Sequence, residues 1–126
     1  MILLIQFRTD QAGPHEVKFI HEAMNIPHSE FTGVSGYSPY LQAEDFLRLV
    51  KKADMIILGG SGESGYEEVR EKEMQEFLGM RAKMIPVLKK LIRMKKPVLG
   101  LCFGHQLLAD ALGSEVVVDK DQAGMK

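Results

Sequence analysis

Cysteine is almost missing from this chain: Cys102 is the only one in 126 residues. A single thiol excludes an intrachain disulfide and fits a reducing compartment, the cytoplasm. Net charge is nearly missing as well, at −1. Without a clustered basic excess there is no electrostatic footprint for nucleic acid. The basic run over 88–96, Leu-Lys-Lys-Leu-Ile-Arg-Met-Lys-Lys, reads instead as the solvated face of an amphipathic helix. No apolar stretch approaches the roughly 20 residues of a membrane span, and the apolar start Met1-Ile2-Leu3-Leu4-Ile5 lacks the charged n-region of a signal peptide. Repeats and low-complexity linkers are missing too. What is present is ordinary for a soluble globular protein, 45% hydrophobic and 26% charged residues, in a length that supports one domain with its own core.

Apolar runs without alternation mark strands covered on both faces, and residues 1–7 and 54–58 have that character. A weaker strand falls within 29–34, a buried one at 97–101, and another at 114–118. Helical patterns lie between them. Pro14 suits a first turn ahead of Val17, Ile20 and Met24. Over 43–53, Phe46, Leu47, Val50 and Ala53 share one face, with Glu44 and Asp45 in the first turn and Lys51 and Lys52 in the last, the order a helix dipole favours. Residues 66–78 read as a charged helix that Gly79 interrupts. A separate helix then covers 83–95, with Met84, Leu88 and Leu91 on one stripe and Pro86 tolerable only in its first turn. Strands alternating with helices predict an α/β sandwich with a mainly parallel sheet. Ligands of such sheets bind beyond the C-terminal ends of the strands, which puts the glycine-rich loop 59–62 and Cys102 on one edge.

Cys102 stands where the 97–101 strand stops and a helical pattern of Leu107, Leu108, Ala111 and Leu112 begins. Gly100 and Gly104 flank it at two residues on either side, the G-x-nucleophile-x-G spacing of a nucleophile elbow with sulfur for hydroxyl. A sharp strand-to-helix turn brings backbones close and strains the nucleophile's own φ/ψ, so the flanking residues must be small. The sulfur then lies over a helix N-terminus, whose N–H groups and dipole favour an anion. A thiolate attacking a carbonyl carbon generates an oxyanion that needs two donors. The N–H of Phe103 supplies one, and the loop Gly59-Gly60-Ser61-Gly62 is suited to supply the other. That loop is not a P-loop: no G-K-[ST] follows and Glu63 would repel a phosphate. No cofactor is expected, and Cys102 is read as a catalytic nucleophile.

The stretch Gly100-Leu101-Cys102-Phe103-Gly104-His105-Gln106, preceded by Lys96-Pro97-Val98-Leu99 and followed by Leu107-Leu108-Ala109, resembles the signature of class I glutamine amidotransferases. Ile57-Leu58-Gly59-Gly60-Ser61 is similar to that family's oxyanion strand, and the flavour is that of stand-alone domains resembling the glutaminase part of GMP synthase. The resemblance implies a flavodoxin-like three-layer fold that hydrolyses the side-chain amide of glutamine through a γ-glutamyl thioester on Cys102. Ammonia would go to a synthetase subunit or domain. Carried over by position, Gly60 and Phe103 would be the oxyanion donors, and Gly60 and Gln106 would contact the glutamine or γ-glutamyl substrate.

One part of the family's pattern is not met. Its base is a histidine, oriented by a glutamate two residues on, well downstream of the nucleophile. This chain ends at Lys126, 24 residues after Cys102, and none of His15, His21, His28 or His105 fits that pattern. Residues 1–126 are therefore expected to be the N-terminal part of a single domain, incomplete at its C-terminus and inactive alone. An unfinished sheet would expose an edge, so self-association is expected. Two alternatives stand beside the amidotransferase: a hydrolase of γ-glutamyl peptides or conjugates using the same thiolate, and a catalytically dead domain that binds a partner. His15 and His21 are six apart and share no helix face, so no metal site is expected. His28 beside a turn reads as solvated, the acidic stretch 63–76 as a solvent face, and the eight methionines as core filler.

Overall fold

A computed structural model describes residues 1–7, 13–60 and 71–113. Four strands, β1 (Ile2–Gln6), β2 (Phe31–Ser35), β3 (Met55–Leu58) and β4 (Val98–Gly100), alternate with four helices, α1 (Gly13–Met24), α2 (Ala43–Lys52), α3 (Glu71–Arg93) and α4 (Phe103–Ala111). A short 3-10 turn, His28–Glu30, leads into β2. All pairings are parallel and the order is β2-β1-β3-β4. The fold is α/β, as the alternation predicts. The expected strand over 114–118 and the first part of the expected helix over 66–78 lie outside the described residues.

The pleat sorts the core into two faces. Leu3, Ile5 and Phe7 of the first strand and its exit join Ile56 and Leu58 of β3 in one cluster with Phe46 and Val50 of α2, Phe77, Met80, Met84, Val87, Leu88 and Leu91 of α3, and Phe103, Leu107 and Ala111 of α4. These three helices therefore cover one face of the sheet. The other face carries Leu4 and Ile57, also buried, and receives α1: Val17 lies 3.5 Å from where a Cβ on Gly33 would be, and Gly33 is paired with Leu4. Helix, sheet and helices make three layers.

Two expectations need correction. Gly79 does not divide a pair of helices, and Pro86 is not in a first turn; both lie inside the single 23-residue α3. The reason is the stripe Phe77, Met80, Met84, Val87/Leu88 and Leu91, which buries a continuous apolar face, while Gly79 and Pro86 fall on the exposed side. Each fully buried side chain of that size contributes about 1.5–3 kcal/mol. Summed along the stripe, this outweighs about 1 kcal/mol for a helical glycine and about 3 for a helical proline. β4 is also not a buried strand: Leu99 is 45% exposed. It pairs with Ile57 and so faces the α1 side of the sheet, where nearly half of it stays open to solvent.

Three lysine and arginine side chains fasten the outer helices. Lys96 Nζ donates to the carbonyls of Val50, Lys51 and Ala53 at 2.6–2.7 Å, neutralising the C-terminal end of α2. Lys83 Nζ, 5.5 Å from the Phe46 ring centroid, donates to the carbonyls of Ser38 and Leu41 and holds the 36–42 loop against α3. Arg81 makes two bonds to Asp110, 2.6 and 2.7 Å, tying α3 to α4.

Candidate active site

The strand order fixes where a site can be. From β1 the chain moves outward to β2, then returns across β1 to place β3 on its other side. The two connections leave β1 and β3 in opposite directions, and the crevice beyond their C-terminal ends is where open α/β sheets take ligands. Gly59 and Gly60 follow β3 at that edge, and Cys102 follows β4 beside them.

Cys102 has φ +50° and ψ −106°, one of three non-glycine residues with positive φ in the described chain. For a residue with a Cβ this conformation costs of order 1–3 kcal/mol, so surrounding structure must impose it. Its neighbours do. A Cβ on Gly104 would come 2.2 Å from the carbonyl oxygen of Leu58, and one on Gly100 would come 2.8 Å from the backbone N of His105. Both flanking positions thus exclude any side chain, as the elbow spacing predicts. Hydrogen bonds then sew the elbow to the neighbouring loop: Leu101 N–H donates to Leu58 O at 2.8 Å, and Gly104 N–H to Leu101 O at 2.9 Å and to Gly59 O at 3.1 Å. Gly59 N–H donates to Ile5 O at 2.9 Å, carrying the β1–β3 ladder one residue past β3.

The sulfur itself is at the surface, because Cys102 is an exposed free cysteine at the N-cap of α4. Phe103 is its opposite, buried and packed at 5.3 Å on Phe7 and edge-on at 6.1 Å to Phe77. Its ring anchors the elbow in the core while its N–H belongs to the first turn of α4, where N–H groups point out of the helix. Gln106, half-buried one turn on, donates its N–H to Cys102 O at 3.2 Å. His105 is exposed. His21 and His28 lie at the other end of the sheet, beside the start of β2, since Phe31 pairs with Ile2. There His21 stacks on His28 and Phe31, ring centroids 4.2 and 4.9 Å away, with a ring nitrogen 2.8 Å from Ile26 O.

One side chain at this edge has no counterpart in the motifs of the sequence. Glu16, in the first turn of α1, reaches the edge between β1 and β3. Its Oε1 accepts from Gln6 Nε2 at 3.1 Å, and its Oε2 accepts from the Gly60 N–H at 3.2 Å. A Cβ on Gly59 would lie 2.7 Å from Oε1, so the carboxylate is seated directly on the glycine loop. An acid in a helix's first turn is so ordinary a dipole partner that nothing in the sequence marks this one out.

Residues 31–126 match the family model described as glutamine amidotransferase class-I. The chain belongs to that family. Among curated relatives, this amidotransferase-family chain is 40% identical over 68 residues to a glutamine amidotransferase-like protein of Acanthamoeba polyphaga mimivirus, covering 54% of this chain and 29% of that protein. It is 36% identical over 70 residues to a glutamine-hydrolysing GMP synthase subunit of Sulfurisphaera tokodaii, 56% of this chain and 31% of the relative. It is 56% identical over 34 residues to gamma-glutamyl peptidase 4 of Arabidopsis thaliana, 27% of this chain and 14% of that one. The matches span less than a third of the length of each of these relatives. No solved structure matches the chain. The α/β architecture agrees with the flavodoxin-like fold of the class I amidotransferases.

Proposed function

We propose that this class I amidotransferase domain hydrolyses the side-chain amide of glutamine, with Cys102 as nucleophile. The observation that carries this reading is the strained, exposed Cys102 held between two glycines that admit no side chain and hydrogen-bonded, through Gly104, to the loop after β3. A protein rarely maintains such a conformation at a surface cysteine without using it. In the proposed reaction the Cys102 thiolate adds to the γ-carbonyl carbon. The N–H groups of Phe103 and Gly60 stabilise the resulting oxyanion, and Gln106 contacts the substrate. Collapse breaks the C–N bond, the nitrogen leaves as ammonia after protonation, and a γ-glutamyl thioester remains. Water then attacks the thioester to give glutamate and restore the thiol. Ammonia passes to a synthetase, in keeping with relatives named as a carbamoyl phosphate synthase small chain and as part of a GMP synthase.

The proton acceptor for these steps is proposed to lie outside the described residues, because His21 and His28 sit at the other end of the sheet, and His15 and His105 are exposed and make no hydrogen bond to Cys102. The 126-residue chain is accordingly expected to be alkylated at Cys102 by iodoacetamide while releasing no glutamate above background. Steady turnover by this chain would mean that one of its own histidines serves as base. The nucleophile assignment is tested on the protein carrying any natural extension. Cys102→Ala is expected to lower glutamate release by at least about 10³-fold, and equal release by both proteins would refute it. The identity to gamma-glutamyl peptidase 4 favours one second reading, a γ-glutamyl peptidase using the same thiolate. Comparing kcat/KM for glutamine with that for a γ-glutamyl dipeptide decides between the two.

A further inference from the structure

We propose that Glu16 is a latch on the oxyanion loop, a positioning residue that holds the Gly60 N–H away from the reaction until the loop is released. This rests on the reading of Gly60 as an oxyanion donor. An amide N–H carries one hydrogen, and here it is given to Glu16 Oε2 at 3.2 Å. The acceptor is an anion, so it competes with an oxyanion for the same hydrogen and repels it electrostatically as well. Neutral carbonyls can share one N–H, but two mutually repelling anions cannot occupy this donor together.

The neighbouring contacts define what moves. Gly59 is fixed on two sides, its N–H on Ile5 O and its carbonyl on the Gly104 N–H, whereas Gly60 is held by Glu16 through its own N–H. Glu16 is itself braced by Gln6 at the end of β1. A change at the β1–β3 crevice that draws the carboxylate off frees the Gly60 N–H for another acceptor, while Gly59 O, on the same peptide plane, keeps its bond from the Gly104 N–H and the elbow stays in place. The glycine at 59 has a matching explanation, because the latched carboxylate fills the space a Cβ would take.

Two readouts on the full chain test this. The first is amide hydrogen exchange of Gly60 by NMR in wild type, Glu16→Gln and Glu16→Ala. Glu16→Ala is expected to accelerate Gly60 exchange at least about tenfold, with the Gly59 amide, bonded to Ile5 O, unchanged as the internal control for folding. Glu16→Gln, which keeps a neutral acceptor and the same shape, is expected to fall between. Unchanged Gly60 exchange in both variants overturns the latch. The second is the rate of Cys102 labelling by a γ-diazoketone analogue of glutamine, whose carbonyl needs the oxyanion donors, against labelling by iodoacetamide, which does not. Releasing the latch is expected to speed the first reagent roughly tenfold, below the about 10²–10³-fold that one full oxyanion donor is worth, and to leave the second within about twofold. Equal acceleration of both reagents means only that the thiol has become more accessible, and overturns the gating. If the glutamine analogue labels no faster than a diazoketone without the amino-acid head, the glutaminase reading fails and the gating falls with it. Faster Gly60 exchange would still show the contact between Glu16 and the loop.

Discussion

At the scale of single residues, Cys102 stores backbone strain that its crowded glycine neighbours hold in place. Glycine adopts its φ and ψ without penalty, so Cys102→Gly is expected to raise stability by about 1 kcal/mol while removing the thiol. Cys102→Ala keeps a Cβ and is expected to gain nothing. Urea denaturation of the two variants separates strain relief from the mere loss of sulfur, and equal midpoints would mean the elbow carries no strain. This residue is legible in the sequence, because the glycines at 100 and 104 leave a spacing that few other local structures need. Glu16 is not. Its contact depends on the first turn of one helix reaching the end of a strand 44 positions away, and no local pattern encodes that reach.

Among the elements, α3 shows how burial overrides local punctuation. Gly79 sits on its exposed side, and nothing lies within 4 Å of where its Cβ would be. Gly79→Ala is expected to stabilise the fold by about 1 kcal/mol in denaturant titrations, and a loss would mean that α3 bends there for a reason. The glycine signal divides this helix on paper, and the proline signal suggests a first turn, because both are local, while the stripe that defeats them is read only over several turns. α2 is legible nearly to the residue, since its charges and its apolar face agree. Its Asp45 carboxyl is held below the ordinary value of 3.8, chiefly by the Gln42 N–H and then by Arg48. A carboxylate depressed in the folded state adds stability above its unfolded pKa and loses it as pH falls through the folded one. The destabilisation caused by Asp45→Asn is therefore expected at pH 7 and should shrink toward zero below about pH 4, when urea midpoints are compared across pH.

For the whole molecule, the parallel alternating architecture follows from the apolar runs and their spacing, but strand order does not. No composition rule states that the third strand returns past the first, and the crevice beside Gly60 depends on it. Solvent exposure of β4 is equally hidden. An apolar strand is written the same way whether its neighbour covers it or not, and Leu99 becomes visible as exposed only once its pairing with Ile57 is known. A bare leucine on the last strand of the described sheet favours association between chains. Sedimentation of the 126-residue chain is expected to show concentration-dependent association that Leu99→Lys reduces, with little change in the urea midpoint. Association insensitive to that substitution would place the contact elsewhere.

The shared hydrogen of Gly104 carries a lesson for anyone transplanting this elbow. One N–H bonded to both Leu101 O and Gly59 O makes the elbow and the glycine loop halves of a single part, although some forty residues of chain separate them. A graft of residues 100–106 alone into another parallel sheet would bring a cysteine whose backbone has lost half its mould. The smallest portable unit is the pair of adjacent strands with both loops. Recombination between relatives should likewise be tolerated when crossover points keep Leu58–Gly60 and Gly100–Gly104 from the same parent.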